Sequence, residues 1–193
     1  MRLTLIVVLL VAVGGGLFAF LRTRSKPYRT KQLLNEAQLK LELGKPEEAL
    51  APLEKAREIM PEHPKIAERL ARVYEALGRF DEAEDTLRKG LDARPGDRLL
   101  AVRLGQLLLD RGRGAAAWEV LEGVVERIRS DKDDAKRAEG LIVAGRAAAA
   151  AGKLDRAKAL LREAAGVEAK RVEALTTLGR LLFRAGDRDA AEK

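Results

Sequence analysis

The sequence predicts an all-α protein: an N-terminal transmembrane helix followed by an α-solenoid of antiparallel helix hairpins. Three observations carry this. Leu3–Leu21 is a run of nineteen residues without a charge. A glycine then recurs at Gly44, Gly78, Gly112, Gly152 and Gly186, at intervals of 34, 34, 40 and 34 residues. Between those glycines, apolar residues fall at helical spacings of three and four. A fixed period of this size marks a stacked repeat, in which each supersecondary unit buries its apolar face only against its neighbours.

The first element is the apolar run. As a helix rising about 1.5 Å per residue it reaches roughly 28 Å, close to the ~30 Å hydrocarbon thickness of a bilayer. Arg2 precedes it, whereas Arg22, Arg24, Lys26, Arg29 and Lys31 crowd its other end. The positive-inside tendency then leaves the body of the chain in the cytoplasm, at the inner membrane, with those cations against anionic headgroups. The rival reading is a cleaved secretory signal, with Leu3–Val11 as the apolar region and Ala12-Val13-Gly14 as the cleavage site, which places the body in the periplasm. Cleavage there leaves an apolar stub, Leu17–Leu21, ahead of a basic cluster, and this favours the anchor. Residues 1–27 are therefore expected as anchor and basic flank, and 28–193 as the repeat domain.

The repeats follow at about 30–63, 64–97, 98–131, 138–171 and 172–193, five in all, the last incomplete. In the first, Gly44 ends one helix, Pro46 suits the first turn of the next, and Pro61 stops it. In the second, Ile66, Leu70, Val73 and Leu77 make one apolar face, Gly78 ends that helix, and Asp81 is expected to cap another carrying Ala83 and Leu87. Arg94-Pro95-Gly96-Asp97 closes the unit as a turn. Between the third and fourth repeats, Lys132–Arg137 is an insertion of mixed charge, expected to be a solvated lengthening of a turn or a helix. Lys193 falls a few residues into the second helix of the fifth repeat, leaving Leu178 and Leu182 short of a partner helix. The natural protein is expected to continue.

These residues resemble the tetratricopeptide repeat (TPR), whose pattern runs from a large residue through Leu-Gly, Tyr, Ala and Phe to Pro at set spacings. The second unit offers Leu70-Ala71, Tyr74, Ala83, Leu87 and Pro95; the third offers Leu104-Gly105, Leu108, Ala117 and Leu121. The fourth offers Ala144-Gly145, Ala148, Ala157 and Leu161, and the fifth Leu178-Gly179, Leu182 and Ala191. Small residues at Ala71, Gly105, Gly145 and Gly179 suit close packing within each hairpin. The large-residue place departs from the pattern: it holds Leu33, Ala67, Ala101, Leu141 and Leu175, and no tryptophan. Anchor and repeats together are similar to membrane-anchored bacterial TPR proteins of the lipopolysaccharide assembly protein B type, without that type's cysteine-rich metal module.

Composition excludes much else. Six of the 37 basic residues lie in the first 31 positions, which hold no acid; the other 31 face 30 acids. A domain this near neutrality displaces few counterions from a phosphate backbone, and aromatic residues are only 4% of the chain, so nucleic acid is not an expected partner. The absence of cysteine removes disulfides, thiolate metal sites and thiol catalysis. The single histidine, His63, lies in a Pro-Glu-His-Pro turn and reads as a linker residue. Gly14–Gly16 lacks the Lys-Ser or Lys-Thr of a phosphate cradle, and Asp131, Asp133 and Asp134 lack the glycine and glutamate of a calcium loop. No catalytic residue, metal, cofactor or small-molecule substrate is expected, and the chain does not read as an enzyme.

In TPR arrays the first helix of each hairpin lines the concave surface, so the resemblance implies a peptide-binding face there. Nine residues into each unit stand Gln38, Arg72, Gln106, Arg146 and Arg180, with Arg69 and Arg103 nearby. With Leu34, Val102, Leu109, Ile142 and Phe183 one turn away, they are expected to form a mixed groove for a peptide bearing apolar anchors and carboxylate or carbonyl acceptors. The chaperone-type carboxylate clamp is not matched, since Leu34, Gln38 and Leu99 stand where that clamp has Lys, Asn and Lys. Trp118, the lone tryptophan, is expected in the core. The function implied is a membrane-tethered scaffold that collects a protein partner, in envelope assembly or its regulation. The alternatives are an exported array serving secretion, pilus or outer-membrane assembly, and an accessory subunit of an envelope enzyme.

Overall fold

The computed structural model describes residues 25–184 and Gly186, and all regular structure among them is helical. The helices are α1 (residues 25–42), α2 (Pro46–Ile59), α3 (Pro64–Ala76), α4 (Phe80–Ala93), α5 (Arg98–Asp110), α6 (Gly114–Glu122), α7 (Val125–Arg129), α8 (Asp134–Ala150), α9 (Leu154–Ala165) and α10 (Arg171–Arg184), with one 3-10 turn at Glu168–Lys170. They form two compact units, one ending at Ala83 and the other beginning at Glu84, so the division falls inside α4.

The expected transmembrane helix is corrected here. Among the described residues no helix is long and apolar enough to cross a membrane. The physical reason is composition: α1 carries Lys26, Arg29, Lys31, Glu36, Lys40 and Glu42, and α8, the next longest, has only 17 residues and holds Lys136, Arg137, Glu139 and Arg146. Leu3–Leu21, on which that expectation rested, lies outside the described residues. The fold is all-helical, and no spanning helix is assigned to it.

The recurring glycines have one local cause. Gly44, Gly78, Gly112 and Gly152 adopt φ of +70°, +72°, +73° and +76°, a left-handed backbone that side chains resist. Each places the next amide back onto the helix just ended: Lys45 N–H donates to the Lys40 carbonyl, Arg79 to Tyr74, Arg113 to Leu108 and Lys153 to Ala148, all at 2.7–2.9 Å. This is the glycine-capped helix end that satisfies otherwise orphaned carbonyls and reverses the chain. Asp97 and Asp133 start helices in the complementary way, their carboxylates accepting from Leu99 and Leu100 N–H and from Lys136 N–H respectively. Asp81 does not cap α4. That helix begins one residue earlier, at Phe80, and Asp81 lies in its first turn, where an acid still suits the helix dipole.

In the first unit, α1, α2 and α3 share one core of Leu34, Ala37, Ala49, Leu53, Ala56, Ile66, Leu70 and Val73. The second unit is built around α8, which packs against α5, α6, α7, α9 and α10. A helix surrounded in this way is apolar on most of its circumference, and α8 accordingly buries residues from Ala138 to Ala148 with few breaks. Glycine permits its close contacts. A Cβ at Gly145 meets Leu161 Cγ at 2.8 Å, one at Gly105 meets Leu121 Cδ1 at 2.5 Å, and one at Gly114 meets Ala150 Cβ at 2.1 Å. Trp118 is buried on α6.

The insertion does two things. It adds a solvated first turn to α8, with residues 132–136 exposed, and it anchors that turn through Asp131. The Asp131 carboxylate is nearly buried, pairs with Arg98 at 2.5 Å and accepts from Asp133 N–H at 3.1 Å. The preceding helix is also broken, as α6 stops at Glu122 and α7 resumes at Val125.

Candidate functional site

The seven site residues expected from the sequence fall on α1 (Gln38), α3 (Arg69, Arg72), α5 (Arg103, Gln106), α8 (Arg146) and α10 (Arg180). Within the first unit they are engaged locally. The Gln38 amide donates to Glu42 at 2.8 Å one turn along, Arg69 donates to the backbone carbonyl of Leu34, and Arg72 lies 3.9 Å from Glu68. Leu34, expected as an apolar neighbour on the groove, is instead buried in the core, because the ridge that carries it faces α2 and α3.

In the second unit the same register positions come together. Gln106 donates to Asp110 at 2.6 Å and accepts from Arg146 Nη1 at 3.1 Å, while Arg146 Nη2 lies 3.7 Å from Asp110. This ties α5 to α8 across forty residues of sequence. Arg146 and Arg180 then line one cleft of about 730 Å³, together with Leu109 of α5, Ile142 and Ala149 of α8, Leu154 of α9, and Thr177, Leu181 and Arg184 of α10. Ile142 forms buried floor rather than open wall, and Phe183, though 63% exposed, is not among the lining residues. Arg103 is half-buried on α5 and does not line the cleft.

The cleft has a defined electrostatic character. Among the described residues its one lining carboxylate, Glu173, is held by Lys170 at 2.9 Å, and that hydrogen bond keeps the Lys170 ammonium above its ordinary 10.5. The Thr177 hydroxyl donates back to the Glu173 carbonyl at 2.8 Å, so it offers the cleft an acceptor. Among the described residues, neither Arg180 nor Arg184 makes a hydrogen bond or ion pair. Arg184, Leu181 and Thr177 were not singled out from the sequence. Arg184 is four residues beyond Arg180 on the same helix face, and following that spacing, rather than one position per repeat, would have found it. Among the described residues no group of three or more His, Asp or Glu side chains is placed to hold a metal ion.

An array of short helix pairs joined by glycine turns, with an open cleft between successive first helices, defines a helical-repeat interaction scaffold. Two models described as tetratricopeptide repeat match the sequence, over residues 40–101 and 142–193, and the chain carries tetratricopeptide repeats. Solved structures agree in fold. Residues 41 to the end of MamA from Desulfovibrio magneticus RS-1 superpose with a TM-score of 0.68 at 24% identity, covering 85% of this chain and 89% of that one. PilF from Pseudomonas aeruginosa gives a TM-score of 0.73 at 19% identity, covering 87% and 74%. YrrB, a TPR protein described as having an unusual peptide-binding site, gives 0.63 at 23%, covering 82% and 79%. No curated protein matches in sequence. These likenesses are of fold, and TPR proteins of this fold are generally non-catalytic protein-interaction scaffolds. Neither the structure nor the comparisons support the expected membrane contact or the likeness to the lipopolysaccharide assembly type.

Proposed function

We propose that the chain binds an extended or helical segment of a partner protein in the cleft between α8 and α10 of its second unit. One observation carries this reading: an open cleft of about 730 Å³ joins an apolar wall to a rim of guanidinium groups. A leucine-lined wall takes an apolar anchor, and convergent polar donors fix its orientation. The peptide-binding description of YrrB is consistent with such use of the fold. No reaction is assigned to the site.

The test is a selection of binding peptides from a random library on the full chain, followed by binding to variants. Leu181→Glu is expected to abolish binding of the selected peptides, whereas Tyr28→Glu, on an exposed face of the first unit, leaves it unchanged. Selected peptides indifferent to Leu181→Glu would place binding elsewhere and overturn the reading.

A further inference from the structure

The cleft's charges identify its occupant more closely, given the binding reading above. We infer that the cleft takes a partner segment in which acidic and apolar side chains alternate, with carboxylates on Arg180, Arg184 and Arg146 and an apolar side chain against Leu181 and Leu109.

Several cations of the second unit have an acid within reach: Arg88 and Arg113 on Glu84, Arg98 on Asp131, Arg129 on Glu163, Arg137 on Asp134, Arg171 on Glu168. Arg180 and Arg184 stand one helical turn apart on the same face, and among the described residues neither has a partner. Like charges at this spacing repel one another, and a carboxylate between them reverses the sign of the interaction. The guanidinium fork receives carboxylates in bidentate fashion.

Arg146 completes the set from the opposite wall. Gln106 fixes one of its nitrogens and Asp110 lies 3.7 Å from another, an ion pair too long for a hydrogen bond, so the group is oriented while donors of the guanidinium stay open to a closer carboxylate. The cleft's own carboxylate does not compete, because Lys170 holds it. A basic segment meets three cations, and a purely apolar one leaves them without counter-charge. A lipid surface or a nucleic acid is a poorer fit, since the chain beyond Lys31 has 31 basic residues against 30 acids, too small an excess to hold an extended polyanion.

The experiment uses three fluorescein-labelled dodecapeptides with the same leucine positions, carrying glutamate, glutamine or lysine at the intervening ones, titrated against the full chain by anisotropy. The glutamate peptide is expected to bind about tenfold more tightly than the glutamine peptide at low salt, with the advantage shrinking at high salt. Arg180→Ala with Arg184→Ala is expected to remove most of that advantage at unchanged helicity, and the Lys pair R180K/R184K to retain part of it. Equal binding of the glutamate and glutamine peptides, both lost in Leu181→Glu, overturns this inference and leaves the cleft reading standing. Failure of all three peptides to bind overturns both. Phosphatidylglycerol vesicles that bind the chain and lose binding in the double alanine variant would make the arginine pair a lipid site and overturn the acidic-peptide assignment.

Discussion

The two units are built from the same hairpin but deploy their repeated polar positions differently. In the first, Gln38, Arg69 and Arg72 are tied to Glu42, to the Leu34 carbonyl and to Glu68, within their own unit. In the second, Gln106 and Arg146 link two helices, and Arg146, Arg180 and Arg184 converge on a cleft. Register within a repeat brings a side chain to a face, but the neighbours it meets there decide whether it is structural or available. A ladder read from one position per repeat therefore mixes two kinds of residue.

The difference depends on how tightly the second unit packs, and the largest predicted effect tests that. Gly114 opens α6 against Ala150, which also lines the cleft, and a Cβ there overlaps the Ala150 Cβ at 2.1 Å with no rotamer to relieve it. Gly114→Ala is predicted to destabilise the second unit by about 2 kcal/mol, opposite in sign to the helix propensity gain. Ala150→Gly in the same chain should restore most of the loss. Hydrogen exchange resolved by helix would register both, and an unchanged or increased protection of α6 and α8 in the single variant would contradict the packing described.

The insertion is the next discriminator, because the first unit has no counterpart to it. Asp131→Ala removes the acceptor of Arg98 and of Asp133 N–H and is expected to cost about 1.5 kcal/mol. The loss should be concentrated at the start of α8, read as faster exchange over residues 133–138. Uniform loss across the unit would mean that the pair does not act as a local anchor.

Much of this fold was legible because it rests on positions with few chemical alternatives. Only glycine sits comfortably at φ near +70°, so Gly44, Gly78, Gly112 and Gly152 mark the hairpin turns in the sequence itself. Gly105 and Gly145 were equally readable, since a side chain there meets Leu121 or Leu161. What escaped depends on partners distant in sequence. Nothing local says that Arg69 will reach back thirty-five residues to Leu34, that Leu34 will turn into the core, or that Asp131 will be buried under Arg98. The break between α6 and α7 and the placing of Asp81 inside α4 were missed because helix boundaries shift by a residue or two under packing. As for the candidate cleft, Arg146 and Arg180 were readable from register, whereas Arg184 and Leu181 needed the geometry of α10 against α8.

The contrast in site residues has its own test. Arg146→Ala is predicted to weaken an acidic peptide about five- to tenfold, about 1 kcal/mol, by removing both a donor and the link to Gln106. Arg72→Ala, in the first unit, should change the same affinity less than about twofold, since the acid it meets lies on its own helix at 3.9 Å and the residue does not line the cleft. Equal losses in the two variants would erase the distinction between the units.

The smallest predicted effect compares two acids that each bridge two cations. Glu48 of the first unit meets Lys40 at 2.6 Å and Lys45 at 2.9 Å, with its side chain 45% exposed. Glu84 of the second meets Arg88 at 2.9 Å and Arg113 at 2.7 Å, with its side chain only 13% exposed. Burial alone pushes the Glu84 carboxyl up, but the hydrogen bonds from Arg88 and Arg113 outweigh it and hold the group below its ordinary 4.5. For Glu48 the hydrogen bonds from Lys40 and then Lys45 give the same direction. A carboxyl whose folded value is depressed contributes stability that is complete above its unfolded value and is lost as pH falls through the folded one. Glu84→Gln should therefore cost about 0.5–1 kcal/mol near neutrality, and the difference from the parent protein should shrink as the solution is acidified from the ordinary carboxyl range down through the depressed folded value. Glu48→Gln should produce no measurable change at any pH, because solvent already screens both lysines. Thermal melts of both variants across this pH range separate the cases: a cost for Glu84→Gln that persists in acid would mean that the residue acts through packing rather than through its charge.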